Sequence, residues 1–177
     1  MTAIGRAAFD TPIGRCGIGW SERGIVSVRL PGRHSAAGRP SIADMPAAAR
    51  EAIRLITDLL GGEPVDLGTI ALDVEAVPDF ARSVYAIARR VPAGATTTYG
   101  EIAAELGDRR LAREVGQALG RNPFPIVVPC HRVLAAGGMP GGFSAPGGVA
   151  TKLRLLAIEG VHLHSQPGLF DEPADRS

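Results

Sequence analysis

The chain has 177 residues, of which 45% are apolar, and a formal net charge of +1. This length allows one ordinary domain, or a small domain beside a half-sized one, and the near-zero charge excludes a global attraction to nucleic acid. Two distant cysteines and an N-terminus without a signal-peptide pattern predict a cytoplasmic protein. No apolar run approaches the roughly 18 residues of a membrane span, so we expect no membrane contact.

The first part of the chain predicts a small α/β domain over residues 1–76. Residues 7–30 carry apolar side chains at a period of two, which is typical of half-buried strands, and Cys16 falls on a buried face. In the later of these strands the predicted buried side chains are Val26, Val28 and Leu30. A helix is predicted over residues 46–60 and a further strand over residues 69–75. No residue of this part indicates catalytic chemistry.

The second part, residues 77–163, predicts a mainly helical domain. A helix is predicted over residues 79–91, before a Pro-x-Gly stop. Its predicted buried stripe consists of Phe80, Val84, Ile87 and Val91. Thr98 and Glu101 have the spacing of a capping box, which predicts the start of a short helix.

A second short helix is predicted over residues 109–121 after a tight glycine turn, and two such helices are typical of a helix-turn-helix. The stretch from Asp108 to Arg121 contains more arginines than acids and forms a local basic patch. Small residues recur on this helix at intervals of four, at Ala112, Gly116 and Gly120. Two interpretations stay open: the small face lets the helix approach a sugar-phosphate backbone, or it lets the two helices pack closely.

The segment Pro129-Cys130-His131-Arg132-Val133 contains a candidate nucleophile followed by a candidate proton acceptor. A free thiol has a pKa of about 8.5, so Cys130 requires a base or a positive field to react at neutral pH. His131 is the adjacent base. Glu159, at the end of a helix predicted over residues 149–159, is the best candidate for orienting that histidine.

These residues resemble the methylated-DNA–protein-cysteine methyltransferases, the DNA repair proteins that act on O6-alkylguanine. The segment around Cys130 is similar to their active-site motif, and Thr98-Tyr99-Gly100-Glu101 is similar to the start of their helix-turn-helix. Further matches are Ala112-Arg113, Val115-Gly116, Asn122-Pro123 and Glu159-Gly160. The resemblance implies an α+β fold, in which a small N-terminal α/β domain, ribonuclease-H-like, precedes a mainly helical domain with the helix-turn-helix.

The resemblance implies that Cys130 takes an alkyl group from O6 of guanine, or O4 of thymine, and keeps it, so that each molecule acts once. His131 would accept the thiol proton and Glu159 would orient His131. Tyr99 would donate to guanine N3, and Arg113 would fill the base stack after the nucleotide is flipped out. The other implied DNA-binding residues are Ala112, Gly116 and Thr98. The implied substrate-pocket residues are Asn122, Val133, Phe143 and Ser144.

The implied partner is double-stranded DNA, bound through its minor groove by a monomer without sequence preference. Transfer to sulfur needs no cofactor, and the zinc ligands of some relatives have no counterpart, so we expect no metal. Residues 142–148 depart from the family because Phe143 replaces a tyrosine and the loop is longer, which puts the range of alkyl groups in question. Glu114, beside Arg113, is expected to weaken DNA affinity.

Residues 164–177 are predicted to form a disordered tail. Within it Gln166, Leu169 and Phe170 resemble the bacterial sliding-clamp-binding pentapeptide, although a terminus that packs on its own domain is the simpler interpretation.

Two alternative functions stay open. A non-catalytic, alkyltransferase-like lesion-binding protein is disfavoured by Cys130, because such relatives replace the cysteine, commonly with tryptophan. An alkylation-sensing transcription regulator would need a further domain or a dimer interface, and the sequence indicates neither.

Overall fold

The computed structural model describes residues 5–32 and 45–163, and within them the chain forms a mixed α/β fold. Three antiparallel strands make a meander in the order β1 (Gly5–Thr11), β2 (Gly14–Ser21) and β3 (Gly24–Arg29). Helix α1 (Ala47–Leu60) contacts all three strands through its apolar face. Cys16 is fully buried in this sheet, as the period-two pattern predicts.

A register shift between Gly19 and Trp20 changes the pattern of the β2–β3 pair. Ile25 and Val28 are buried, whereas Val26 is only half-buried. The predicted burial of Val26 was wrong because a bulge inserts one residue and interrupts the period of two.

The strand predicted over residues 69–75 was also wrong. Only one isolated bridge joins this segment to the sheet, between Leu72 and Ile25. Asp73 then accepts a hydrogen bond from the Glu75 N–H at 3.2 Å, which turns the chain away from the sheet edge.

The second part contains four helices and one short strand pair. The helices are α2 (Asp79–Ala88), α3 (Tyr99–Glu105), α4 (Ala112–Gly120) and α5 (Gly148–Ile158). A 3-10 turn, Arg109–Leu111, leads into α4, and α4 packs against both α2 and α3. The Tyr85 hydroxyl of α2 donates to the Ala118 carbonyl of α4 at 2.9 Å, which ties these two helices together.

Helix α2 differs from its prediction in length and in orientation. It ends at Ala88 rather than Val91. Pro92 disfavours helical backbone angles at Val91, the residue before it, so the helix cannot reach its predicted end. Its buried residues are Ala81, Val84, Tyr85 and Ala88. Phe80, predicted to be buried, is 37% exposed, because the face that carries Tyr85 turns inward instead.

The start of α3 lies beside the residues that follow Cys130. The predicted capping box is confirmed: the Thr98 hydroxyl accepts from the Glu101 N–H at 3.1 Å, and the Glu101 carboxylate accepts from the Thr98 N–H at 2.7 Å. Strand β4 (Thr97–Thr98) pairs in parallel with β5 (Val133–Leu134). This pairing fixes the start of α3 relative to the segment around Cys130.

One hydrophobic cluster runs from the sheet through α1 and α2 to the residues around Cys130. This continuity does not test the domain boundaries predicted at residues 76 and 163, which stay predictions. Within residues 5–32 and 45–163, no helix is long and apolar enough to cross a membrane. The predicted tail, with Gln166, Leu169 and Phe170, lies outside the described residues.

Candidate active site

A tight turn presents Cys130. The Asn122 side chain spans it, because its Oδ1 accepts from the Phe124 N–H and its Nδ2 donates to the Val128 carbonyl, both at 2.9 Å. Ile126, inside the turn, has a φ of 76°, which is strained for a β-branched residue. The Asn122 bonds hold this conformation and so fix the backbone that leads into Cys130.

Cys130–Arg132 form a short 3-10 helix in which all three residues are buried. The His131 ring nitrogen Nε2 lies 2.8 Å from Oε1 of Glu159, whose side chain is 3% exposed. Arg132 donates to the same carboxylate through Nε and Nη2, each at 2.8 Å. Its Nη1 also donates to the Val91 carbonyl at 2.6 Å. The glutamate therefore holds both residues that follow the cysteine.

The hydrogen bonds at Glu159 define the protonation state of His131. Burial alone raises the pKa of Glu159, but the hydrogen bonds from His131 and Arg132 and the positive charge of Arg132 outweigh this and lower that pKa to about 2. The carboxylate is thus ionised, and His131 Nε2 must carry the proton that it accepts. Burial lowers the pKa of His131, so the ring is neutral and Nδ1 is a free base. Nδ1 is buried and has no hydrogen-bond partner among the described residues.

Cys130 rests as a thiol. Burial raises its pKa, and the Asn122 side chain and the positive charge of Lys152 only partly oppose this effect. Cys130 is 8% exposed, so a reaction at its thiol requires both a base and a route of access. His131, the next residue in sequence, is the candidate base.

Lys152, the only lysine in the sequence, is fully buried. Its Nζ donates to the Val133 carbonyl at 2.6 Å and lies 5.7 Å from the centroid of the Tyr99 ring. Burial lowers the pKa of Lys152 to about 8, and ionisation of the Cys130 thiol would oppose this effect. A buried ammonium group therefore belongs to the site.

Sequence reasoning missed both Lys152 and the role of Arg132 in binding Glu159. Lys152 shares the buried face of α5 with Leu155 and Leu156, at helical spacing. A single lysine on an apolar stripe was the available signal. The contacts of Arg132 depend on tertiary structure and had no sequence signal.

Two cavities meet at Cys130. One, of about 510 Å³, is lined by α4 and the start of α3, and it brings together four of the predicted DNA-binding residues. These are Tyr99, Ala112, Arg113 and Gly116. The other, of about 280 Å³, is lined by Asn122, Pro125 and the end of the first sheet. Phe143 and Ser144 line both cavities, as does Cys130 itself.

Of the predicted DNA-binding and substrate-pocket residues, Thr98 and Val133 lie outside these cavities. Thr98 caps α3, and Val133 is buried with its carbonyl bound by Lys152. Glu114 lines a separate groove with Phe80 and Arg121, on the other side of α4 from the cavity that contains Arg113. Its carboxylate therefore does not line the cavity that leads to Cys130.

The small face of α4 is not required for packing among the described residues. A Cβ built at Gly120 would have no atom within 4 Å. At Gly116 it would meet only the Tyr99 ring, at an ordinary contact distance of 3.8 Å. Close packing of α3 on α4 therefore does not require these glycines, and the approach of a sugar-phosphate backbone stays a prediction.

The fold and the site define a class of protein in which a buried thiol lies where two cavities meet, and the next residue is a neutral histidine held by an ionised glutamate. These are the groups that a thiol nucleophile and its base require. A family model described as the DNA binding domain of 6-O-methylguanine DNA methyltransferase matches residues 79–161.

Known proteins match most of the chain. The methylated-DNA–protein-cysteine methyltransferase of Methanothermobacter thermautotrophicus is 35% identical over 158 residues, which cover 88% of this chain and 85% of that protein. A crystal structure of Mycobacterium tuberculosis O6-methylguanine methyltransferase has a TM-score of 0.70 at 32% identity, over 87% of this chain and 91% of that one. A structure of M. tuberculosis OGT in complex with DNA has a TM-score of 0.70 at 30% identity, over 88% and 92%. The chain belongs to the methylated-DNA–protein-cysteine methyltransferase family.

Proposed function

We propose that the protein repairs DNA by transferring an alkyl group from O6 of guanine, or O4 of thymine, to Cys130. The observation that carries this proposal is the free base at His131 Nδ1, in the buried residue that follows Cys130 in sequence, together with the two cavities that meet at Cys130. Relatives named methylated-DNA–protein-cysteine methyltransferase, and one solved in complex with DNA, support the same activity.

The transfer needs only groups that the chain supplies. His131 Nδ1 takes the thiol proton, directly or through one water, and Glu159 stabilises the imidazolium that forms. The thiolate attacks the alkyl carbon, a carbon–sulfur bond forms, and the carbon–oxygen bond breaks with its electron pair going to the guanine ring. Burial raises the pKa of Tyr99, so its hydroxyl keeps its proton and donates a hydrogen bond to guanine N3. A thioether is not readily reversed, so each molecule acts once and no cofactor takes part.

DNA would bind along α3 and α4, which we infer to act as a helix-turn-helix. The small residues of α4 border the cavity that contains Arg113 and Cys130, and they suit close approach to a sugar-phosphate backbone in the minor groove. Arg113 is exposed at that border, as a side chain that replaces a flipped base must be. Recognition would rest on the flipped base and the backbone, without sequence preference.

We also infer that the protein is a cytoplasmic monomer, in which the three-stranded meander and α1 represent a small ribonuclease-H-like domain. A sliding clamp is a candidate second partner through Gln166, Leu169 and Phe170. The double variant Leu169→Ala, Phe170→Ala should bind the clamp more weakly than the wild type does, and equal binding would refute this proposal.

The test uses a duplex that carries O6-methylguanine, with O4-methylthymine as a second substrate. Intact mass after incubation should show one methyl group per protein, and excess DNA should add no second group. The Cys130→Ala variant should gain none, whereas Cys16→Ala, which removes the other buried thiol, should react normally. Tight lesion binding without any adduct would refute transfer and favour the lesion-binding alternative.

A further inference from the structure

The smaller of the two cavities that meet at Cys130 is larger than methyl transfer requires. It has a volume of about 280 Å³ and lies between the end of the first sheet and residues 143–146. Its lining is mostly apolar, and the polar exceptions are Arg29, Asn122 and Ser144. An apolar cavity of about 150 Å³ is enough to hold a benzene molecule, so a methyl group would leave most of this space empty.

The walls of this cavity come from two distant parts of the chain. Leu30, at the end of the first sheet, belongs to one wall, and Phe143, Ala145 and Pro146 belong to the other. The two walls adjoin at Gly32, where an added Cβ would lie only 2.9 Å from Cγ of Pro146. The first part of the chain, in which the sequence indicates no catalytic chemistry, therefore shapes a cavity at the candidate nucleophile.

A tight turn holds Pro146 in place. The Gly148 N–H donates to the Ala145 carbonyl at 2.9 Å across the turn. Gly147 has a φ of 84° and a ψ of −6°, the angles of the third residue of a type II turn, and proline is favoured at the second position of such turns. The Thr151 hydroxyl donates to the Pro146 carbonyl at 2.7 Å and ties the turn to α5. The proline ring is therefore a fixed part of the wall.

The direction of the transfer places larger alkyl groups beside this wall. The guanine is proposed to lie in the other cavity, which contains Tyr99. The sulfur, the reacting carbon and guanine O6 must lie in line during the displacement, so a substituent on that carbon points to one side of the line. The smaller cavity is the apolar space that adjoins Cys130 on the side away from Tyr99.

We propose that Ala145 and Pro146, together with Leu30 from the first sheet, determine which alkyl groups the protein accepts, and that the cavity between them takes a flat apolar group of arylmethyl size. This inference rests on the proposed transfer to Cys130. The bond changes are the same as for methyl: the carbon–sulfur bond forms, and the carbon–oxygen bond breaks with its electron pair going to the guanine ring. Burial of the aromatic ring favours binding of the larger group.

The test compares duplexes that differ only in the alkyl group, O6-methylguanine and O6-benzylguanine, with the full chain. Intact mass at successive times gives the rate at which each group is transferred. The wild type should transfer both groups. A methyl adduct without any benzyl adduct would overturn this inference and leave the proposed function standing. Absence of both adducts would refute the proposed function, and this inference with it.

A matched pair of variants tests which residues set the size of the group. Ala145→Leu fills the cavity and should lower the ratio of the benzyl rate to the methyl rate about tenfold, because extra atoms in a packed apolar site are unfavourable. Ala150→Leu adds the same atoms on the exposed face of α5, outside the cavity, and should leave the ratio as in the wild type. The methyl rate of each variant corrects for any loss of folded protein. Equal ratios in Ala145→Leu and Ala150→Leu would overturn the proposal.

A third variant tests the wall in the opposite direction. Pro146→Ala removes the ring that adjoins Gly32 and keeps the carbonyl that Thr151 binds. It should raise the transfer rate of a naphthylmethyl group relative to benzyl, because the larger ring system gains space. A naphthylmethyl-to-benzyl ratio equal to that of the wild type would contradict the role of Pro146.

Discussion

Replacing Lys152 with methionine should change how the stability of the protein depends on pH. Methionine has a similar length and fills irregular gaps well, so the main change is loss of the buried charge. The pKa of Lys152 is lowered from 10.5 to about 8 in the folded protein. The unfolded chain therefore binds more protons than the folded protein between these values, and the penalty for burying the charge is relieved as pH rises.

The magnitude follows from this difference in pKa. From pH 7 to pH 9.5, Lys152 should add about 2 kcal/mol to the free energy of unfolding of the wild type, and Lys152→Met should lack this increase. Urea unfolding of both proteins at several pH values measures it. The Cys130→Ala background should be used, because Cys130 is the titratable group whose charge acts on Lys152. Arg154→Met, on the exposed face of the same helix, is the control, because it removes a positive charge that is not buried.

A direct measurement supports the same test without any variant. Because the chain contains one lysine, labelling lysine at Cε gives a single side-chain NMR signal. Its titration midpoint should lie near pH 8. Parallel stability curves for wild type and Lys152→Met, or a midpoint at the ordinary lysine value, would refute the placement of this ammonium group in the site.

Three other substitutions test the arrangement. Glu159→Gln should lower the free energy of unfolding at pH 7 by about 3 kcal/mol because Arg132 is left buried without its counter-charge. The pKa of Glu159 is about 2 in the folded protein, against an ordinary 4.5. The wild type should therefore lose its extra stability over Glu159→Gln as pH falls from 4.5 towards 2. A stability difference between the two proteins that persists at about pH 2 would contradict the reasoning. Gly120→Ala should raise helix stability by about 0.5 to 1 kcal/mol in thermal unfolding but weaken binding to duplex DNA in a gel-shift assay; unchanged DNA affinity would argue against the small face. Thr98→Ala should cost about 1 kcal/mol in urea unfolding through loss of the cap, and no change would show that the capping box is dispensable.

Local patterns predicted the elements that depend on local physics. The capping box at Thr98 and Glu101 needs only two residues at a fixed spacing, and it formed as predicted. The residues Cys130, His131 and Glu159 were identified from a short motif and a helix end, and the structure brings His131 and Glu159 into hydrogen-bond contact.

The remaining features depend on contacts between distant residues. Helix α2 turned its Tyr85 face inward because the Tyr85 hydroxyl bonds to Ala118 of another helix, which periodicity within α2 could not show. The register shift after Gly19 and the turn at Asp73 also made the sheet differ from its prediction. Arg132 was assigned no role, since its partner Glu159 lies 27 residues away.

The parallel pairing of β4 with β5 and the contacts of α5 have a consequence for the order of folding. Cys130 lies between elements that are distant in sequence: Thr97 pairs with Val133, and Lys152 and Glu159 come from α5 and its C-terminal cap. Non-local pairings form late because loop closure is unfavourable before they are made. During synthesis Cys130 therefore emerges before Glu159 can bind His131, and its surroundings are complete only when α5 docks.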